Sequence, residues 1–386
     1  MKDPAQNYTA FPDGEALDRD NLRVLRFLRH GPLGLGELAE KTSLARNTVA
    51  TRVDHLIRRG LIKQGPSIPA ERGRPSVRFK LNERAALLYL VFFDETHVTG
   101  AICDLGGTEL GSLSRCLDEA YETDDAIRHI VEIRDTICAE NGIDRADLQV
   151  CVLGVQGPVA EDQKTVPWSR VGLLPTGMAA VIGMPVIVEN DANLMAVGVA
   201  ASQDGAEPIM CILVSNGIGA GIVTNGAVHR GTGGWAGEIG HVPILAAGER
   251  PCVCGSRGCS SAVAGNLALY DMLRAKGHSV ATISDVAQLA VAGNLDAILA
   301  LRNVGRNIGE AILGLVIAIA PGRIIVAGHA AEIGDHLLAG VRETIVYRMP
   351  AALAARIQVE ISAEYENTMR RGALSLGFDS LFPPKL

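Results

Sequence analysis

Two stretches of this chain can be laid on one another. LLYLVFFDETHVTGAICDLGGTELGSLSRCL, starting at Leu87, reads strand, loop, strand, turn, strand, and IMCILVSNGIGAGIVTNGAVHRG, starting at Ile209, reads the same way. The overlay aligns Gly100 with Gly221, Asp104 with Asn225, and Asp94-Glu95-Thr96 with Ser215-Asn216-Gly217. A β-hairpin that recurs with helices and further strands between its copies points to an α/β fold, duplicated into two lobes with a cleft between them. Length agrees: 386 residues exceed one ordinary domain, and a hydrophobic content of 48% can fill sizeable cores. The copies are not equivalent. In the second loop Gly217, Gly219 and Gly221 would let backbone N–H groups approach an anion, whereas the first loop has Glu95, Thr96 and His97. Asp104-Leu105-Gly106-Gly107-Thr108 has the look of a phosphate loop, but the overlay puts it at the hairpin's second turn, and the turn reading is favoured.

Between Gly237 and Cys259 the sequence GEIGHVPILAAGERPCVCGSRGC spaces His241, Cys252, Cys254 and Cys259 as H-x10-C-x-C-x4-C. One imidazole and three thiolates close a tetrahedral structural Zn²⁺ site. Gly255 and Gly258 permit the turn that returns Cys259 to the other two cysteines, and Pro251 stiffens its entry. The other five cysteines are scattered singly, so a chance cluster is disfavoured. A disulfide is disfavoured too. The opening MKDPAQNY lacks the apolar core of a signal peptide, so a reducing cytoplasm is expected. No membrane is expected either, since AILGLVIAIA (Ala311 to Ala320) is too short to span one and reads as a buried helix.

The net charge of −7 hides a segregation. From Arg19 to Lys80 there are 14 Lys/Arg against 5 Asp/Glu, which leaves −16 for the remainder. A basic head on an acidic body suits a nucleic-acid-binding module joined to something else. Residues 1–18 read as a disordered tail, and 19–82 as the module. RDNLRVLRFLRH puts Leu22, Leu25 and Leu28 inside and Arg23, Arg26 and Arg29 outside; GELAEKTS forms a second helix, and Ser43 is a candidate N-cap for a third. That third helix, ARNTVATRVDHLIRRG, turns Val49, Val53, Leu56 and Ile57 inward. It leaves Arg46, Asn47, Thr48, Thr51 and Arg52 to reach base edges and phosphates. LIKQ and VRFKL then flank a Gly/Pro/Arg-rich tip, a wing that carries Arg72 and Arg74. Three helices and a wing make a winged helix-turn-helix for double-stranded DNA, a module that usually acts as a dimer on two half-sites.

Residues 83–386 resemble the ROK family (repressors, open reading frames, sugar kinases), and the winged helix makes the whole chain similar to its repressor branch. The resemblance rests on GVQGPV (Gly154 to Val159), VENDANLMAVG (Val188 to Gly198), SNGIGAGIV, GEIGH and CVCGSRGC, in that order. It implies an actin/hexokinase-like (RNase H-like) body in which Asn190, Asp191, Glu238 and His241 contact sugar hydroxyls. Asp191 would be the general base if the protein were a kinase. It also implies that His241 serves both the zinc ion and the sugar, so that the metal fixes the imidazole's orientation. Asp191 taken alone reads equally as a helix N-cap.

Three departures from the family pattern bear on activity. The family's first phosphate loop, DxGGT, is here Asp94-Glu95-Thr96-His97-Val98. Ser260-Ser261 follow the last zinc cysteine where Leu-Glu is usual, and Gly328-His329 stand for a nucleotide-side Gly-Gly. Phosphoryl transfer depends on positioning and charge stabilisation, so the loss of a phosphate cradle should be severe. The expected function is therefore a sugar-responsive DNA-binding regulator, acting as a repressor and homo-oligomer (dimer or tetramer), and not an enzyme. An active sugar kinase that also binds DNA, and a constitutive DNA-binding protein that uses its body only to dimerise, are the alternatives.

Overall fold

The structure is a computed structural model that describes residues 17–65, 77–93, 97–117, 122–160, 177–202, 207–331, 333, 335–362 and 364–383. The chain divides into two compact units. One comprises Met1–Leu153, Thr176–Ile187 and Leu374–Leu386; the other comprises Gly154–Pro175 and Val188–Ala373.

The first unit opens with three helices, α1 (Arg19–Leu28), α2 (Leu35–Thr42) and α3 (Arg46–Arg58). Asp18 caps α1 by accepting the Asn21 backbone N–H at 2.9 Å, and Leu22, Val24, Leu25 and Leu28 are buried. Leu38 of α2 and Val49, Val53 and Leu56 of α3 complete this small core. Ser43 does not cap α3. It ends α2 in the left-handed region (φ 56°), and Ala45, with no side-chain acceptor, precedes α3. Strands β2 (Ile62–Gln64) and β3 (Arg78–Leu81) pair antiparallel as the base of a wing, with the two-residue β1 (Leu33–Gly34) on the other side of β3. The wing tip with Arg72 and Arg74, and most of the expected tail, lie outside the described residues. Arg26 and Arg29 are only part-exposed, because they face the C-terminal helix (Tyr365–Leu381), a partner far away in sequence.

The rest of this unit is a sheet of β4 (Leu87–Phe93), β5 (His97–Asp104), β6 (Glu109–Cys116), β7 (Leu148–Val155) and β8 (Val186–Asn190), in the order β6-β5-β4-β7-β8. The longer of its helices, α4 (Thr123–Asn141), packs on β5 at Gly100, where a Cβ would stand 2.5 Å from Ile133 Cγ2. A shorter α5 spans Met178–Ile182. Asp104 closes the β5–β6 turn by accepting N–H groups from Gly106 (3.0 Å) and Thr108 (2.9 Å), so the DLGGT segment is a turn, as expected. From the C-terminal helix, Phe378 and Phe382 enter the core with ring centroids 4.8 Å apart.

In the second unit α6 (Asp191–Ala201) precedes a sheet of β9 (Ile209–Val214), β10 (Ile218–Thr224), β11 (Ala227–Val228), β12 (Arg323–Ala327) and β13 (Gln358–Ile361). Its order, β11-β10-β9-β12-β13, repeats that of the first sheet. Three antiparallel strands are followed by two parallel ones, so the duplication read from the hairpins extends to whole sheets. The copies diverge at the third strand, which has eight residues in β6 and two in β11. Between β11 and β12 run the His241–Cys259 loop and α7 (Asn266–Arg274), α8 (Ile283–Val291) and α9 (Leu295–Ile319), while α10 (His336–Arg348) and α11 (Ala351–Ala354) lie between β12 and β13. The AILGLVIAIA segment closes α9: Ala311, Ile312 and Val316 are buried as expected, but Ile317 is exposed. Among the described residues no single helix is long and apolar enough to cross a membrane.

Candidate functional site

The strand VIVEN ends where the chain turns into α6, and that turn carries the first expected site residues. The helix N-cap is Asn190, not Asp191. Its Oδ1 accepts the Asn193 backbone N–H at 3.0 Å, and its Nδ2 donates to the Gly157 carbonyl at 3.0 Å, within the GVQGPV segment. Both ends of this buried amide are therefore engaged. Asp191, released from capping by its neighbour, holds Ala192 N–H at 2.7 Å. Burial pushes its carboxyl up to about 7, against the opposing pull of the Ala192 N–H.

Glu189, one residue earlier, was not singled out from sequence. Only 3% exposed, it accepts from the Asn190 backbone N–H (3.0 Å) and from Asn193 Nδ2 (2.9 Å) on one oxygen, and from Arg230 Nε (2.9 Å) on the other. A carboxylate ending an otherwise apolar strand was the available signal, since a charge is buried only when paired. It ties the start of α6 to the segment after β11.

That segment leads into GEIGH. Gly237 has φ 91°, and a Cβ on it would strike the Ala220 carbonyl oxygen at 1.8 Å, so the chain can pass β10 this closely only with glycine. Glu238 follows; burial first, then the neighbouring Asp191 carboxylate, pushes its carboxyl up to about 7. His241 places Nε2 3.9 Å from Glu238 Oε2 and Nδ1 3.5 Å from Cys252 Sγ. One imidazole thus faces the Glu238 carboxylate on one edge and the Cys252 thiol on the other. Burial lowers its pKa and keeps a lone pair free for a metal.

The His241, Cys252, Cys254 and Cys259 ligand atoms all lie within 4.8 Å of one another. A tetrahedral zinc centre with bonds of about 2.3 Å to sulfur and about 2.1 Å to nitrogen has S–S edges near ~3.8 Å and N–S edges near ~3.5 Å. Cys254 Sγ and Cys259 Sγ stand 3.8 Å apart and the His241–Cys252 separation is 3.5 Å, so these two edges match a zinc tetrahedron, and the remaining edges need close by no more than about 1 Å. Burial and its two thiol neighbours push Cys259 up to about 12, a cost that a dication would offset by binding the thiolate. Gly255 (φ 87°) and Gly258 (φ 77°) make the loop's turns, as the sequence suggested. Beyond it, Ser260 Oγ donates to the Ile239 carbonyl at 2.6 Å and pins the GEIGH turn, while Ser261 Oγ lies against Gly217 and Gly240.

The glycine-rich segment of the second hairpin is less of a cradle than its sequence suggests. Gly219 and Gly221 belong to β10, where they pair with Leu213 and Cys211 of β9. Gly221 is a packing glycine, since a Cβ there would sit 2.0 Å from the Ala192 carbonyl oxygen. Only Ser215-Asn216-Gly217 form the loop. Its counterpart, Asp94-Glu95-Thr96, lies outside the described residues. Gly328 (φ 102°) turns tightly against Val214, and the following His329 meets Tyr365 Oη at 2.9 Å.

On the head, Arg46, Asn47 and Thr51 are exposed and Thr48 is partly so. Thr51 Oγ1 donates to the Asn47 carbonyl at 3.1 Å. Arg52 is turned back, with Nη1 2.8 Å from Asp18 and Nη2 3.8 Å from Asp20.

Head and paired sheets together define the class: a helix-turn-helix module joined to an actin- and hexokinase-like α/β body. The chain belongs to the ROK family, whose model matches residues 117–378, and the IclR helix-turn-helix domain model matches residues 21–66. It is 25% identical over 367 residues to the xylose repressor of Bacillus subtilis (strain 168), covering 93% of this chain and 94% of that protein. It is 26% identical over 367 residues to the DNA-binding transcriptional dual regulator NagC of Escherichia coli (strain K12), covering 90% and 89%. A crystal structure of a ROK family transcriptional regulator, described as a homolog of the E. coli MLC protein, superposes with TM-score 0.80 at 22% identity over 94% of this chain and 97% of that one.

Proposed function

We propose that this protein is a DNA-binding transcriptional regulator, acting as a repressor, whose kinase-like body senses a sugar or sugar derivative and does not phosphorylate it. The observation that carries the sensing half is the position of His241 between Glu238 and the thiol cluster. Asp191 and Glu238 offer carboxyl groups and His241 an imidazole to sugar hydroxyls, steadied by Asn190 and Glu189. Zn²⁺ held by His241, Cys252, Cys254 and Cys259 would have a structural role, fixing the imidazole so that Nε2 faces the sugar. Repression is supported by the helix-turn-helix head and by full-length similarity to repressors.

In the head, Arg46, Asn47, Thr48, Thr51 and Arg52 on α3, with Arg72 and Arg74 on the wing, form the DNA surface. A homo-oligomer, dimer or tetramer, presents two heads to a two-half-site operator in the cytoplasm. Calorimetric titration with a panel of sugars, followed by operator release, tests the reading. A protein that binds DNA and is released by no carbohydrate would overturn the sensing half.

One observation favours a second reading. A carboxyl held near 7, as Asp191 is, suits a general base, so a sugar kinase that also binds DNA is the competitor. Coupled ADP release across hexoses, abolished by Asp191→Asn, would favour it.

A further inference from the structure

The C-terminal helix, Tyr365–Leu381, is one uninterrupted element whose two halves make different attachments. Its first half packs on α6 with almost no side chain between the backbones. A Cβ on Gly198 would lie 1.8 Å from the Thr368 carbonyl oxygen, and one on Gly372 1.8 Å from the Leu194 carbonyl oxygen. Two helices in backbone contact cannot slide or rotate past one another without a collision, so a shift of α6 must be followed by this half. The N-terminus of α6 is Asn190-Asp191.

The second half grips the head. Arg26 Nη1 stands 3.1 Å from Asp379 Oδ1 and 3.4 Å from the Phe382 carbonyl oxygen. Arg29 Nη1 donates to Ser375 Oγ at 3.2 Å, with its guanidinium carbon 4.6 Å from the centre of the Phe378 ring. Stacking and directional N–H bonds together need the flat guanidinium; a lysine would supply charge without the plane. Arg26 lies in α1 and Arg29 caps its C-terminus, and α1 packs against α3.

We propose that the C-terminal helix carries the state of the Asp191 end of α6 to the DNA-binding head, and that Arg29 and Arg26 are the positioning residues through which the head receives it. The identity of the signal rests on the sugar-sensing reading; the linkage does not.

Hydrogen exchange of the full-length, metal-loaded chain reads it. Gly198→Ala displaces the helix without any ligand and should speed exchange of the α1 amides by about five-fold or more, with α9 unchanged. In the Gly198→Ala, Arg29→Met double variant, α1 should exchange as in Arg29→Met alone. Rates in α1 that ignore Gly198→Ala while the C-terminal helix responds, or that rise in step with α9, would overturn the linkage. Should Gly198→Ala not fold, Met369→Ala, which trims the packing of the C-terminal helix on the Ala192, Met195, Ala196 and Val199 cluster, makes a milder perturbation with the same expected pattern.

A second arm uses xylose, N-acetylglucosamine and glucose as ligands. The sugar that binds should alter α1 exchange in the parent, less so in Arg29→Lys, and not in Arg29→Met, with calorimetric affinity held within about two-fold. If none of the three binds, the arm counts against the sensing reading, while the Gly198→Ala arm still decides the linkage.

Discussion

Arg230 and Glu189 form an ion pair with one member almost wholly out of water. Arg230 donates from Nε and Nη2 to a single oxygen of Glu189, at 2.9 and 2.5 Å, while the other oxygen serves Asn190 and Asn193. Removing one member strands the other. Glu189→Gln should destabilise the protein by about 2–4 kcal/mol and loosen Asn190, weakening carbohydrate binding through a residue that need not touch the ligand. Thermal denaturation and calorimetry on the same preparation check both effects, and a stable variant with unaltered binding would contradict this role.

Asp191 carries its own stability signature. Its carboxyl lies near 7 in the folded protein against about 3.9 in an unfolded chain. Between those values the native state keeps a proton that the unfolded chain has released, so its contribution to stability falls as pH rises. Asp191→Asn should match the parent at pH 4 and exceed it by about 1–2 kcal/mol at pH 8, a figure discounted for the side chain's partial exposure. The same variant should lose sugar binding. Denaturant melts of both proteins at the two pH values give the difference directly.

Metal content gives a further check. The purified chain should hold zinc at close to one ion per protomer, and Cys252→Ala should lose it. With His241 no longer steadied, carbohydrate affinity should fall by about 10–100-fold, and a chelator should reproduce that loss in the parent. Elemental analysis and calorimetry decide; a parent protein without stoichiometric metal would remove the basis of the zinc assignment.

On the head, exposed Arg46 and inward-turned Arg52 should behave differently. Arg46→Ala should weaken binding to a duplex selected from a random library and lower the salt slope by about one. Because Arg52 is already paired with Asp18, Arg52→Ala should have the smaller effect on affinity. Fluorescence anisotropy over a salt series separates the two, and equal effects would mean that DNA draws Arg52 away from Asp18.

What the sequence could and could not express follows from the range of each interaction. Hairpin period, glycine turns, the charged head and the His/Cys spacing are local, and each leads to an element found in the fold. Ser43 failed as a cap because a residue able to cap α3 is equally able to end α2 in the left-handed region. Asn190 took the capping position that Asp191 also suited, a choice made by Gly157 some thirty residues earlier. The glycines of SNGIGAG served a neighbouring helix as well as a loop, and nothing in their spacing distinguishes the two uses. Arg26 and Arg29 looked like solvent-facing positions because their partners, Ser375 and Asp379, come at the far end of the chain.

That last contact limits how portable the head is. A chimera that grafts residues 19–82 of this protein onto another body would leave Arg26 and Arg29 without the Ser375–Phe382 surface they contact. Swapping head and C-terminal helix together keeps the pair matched.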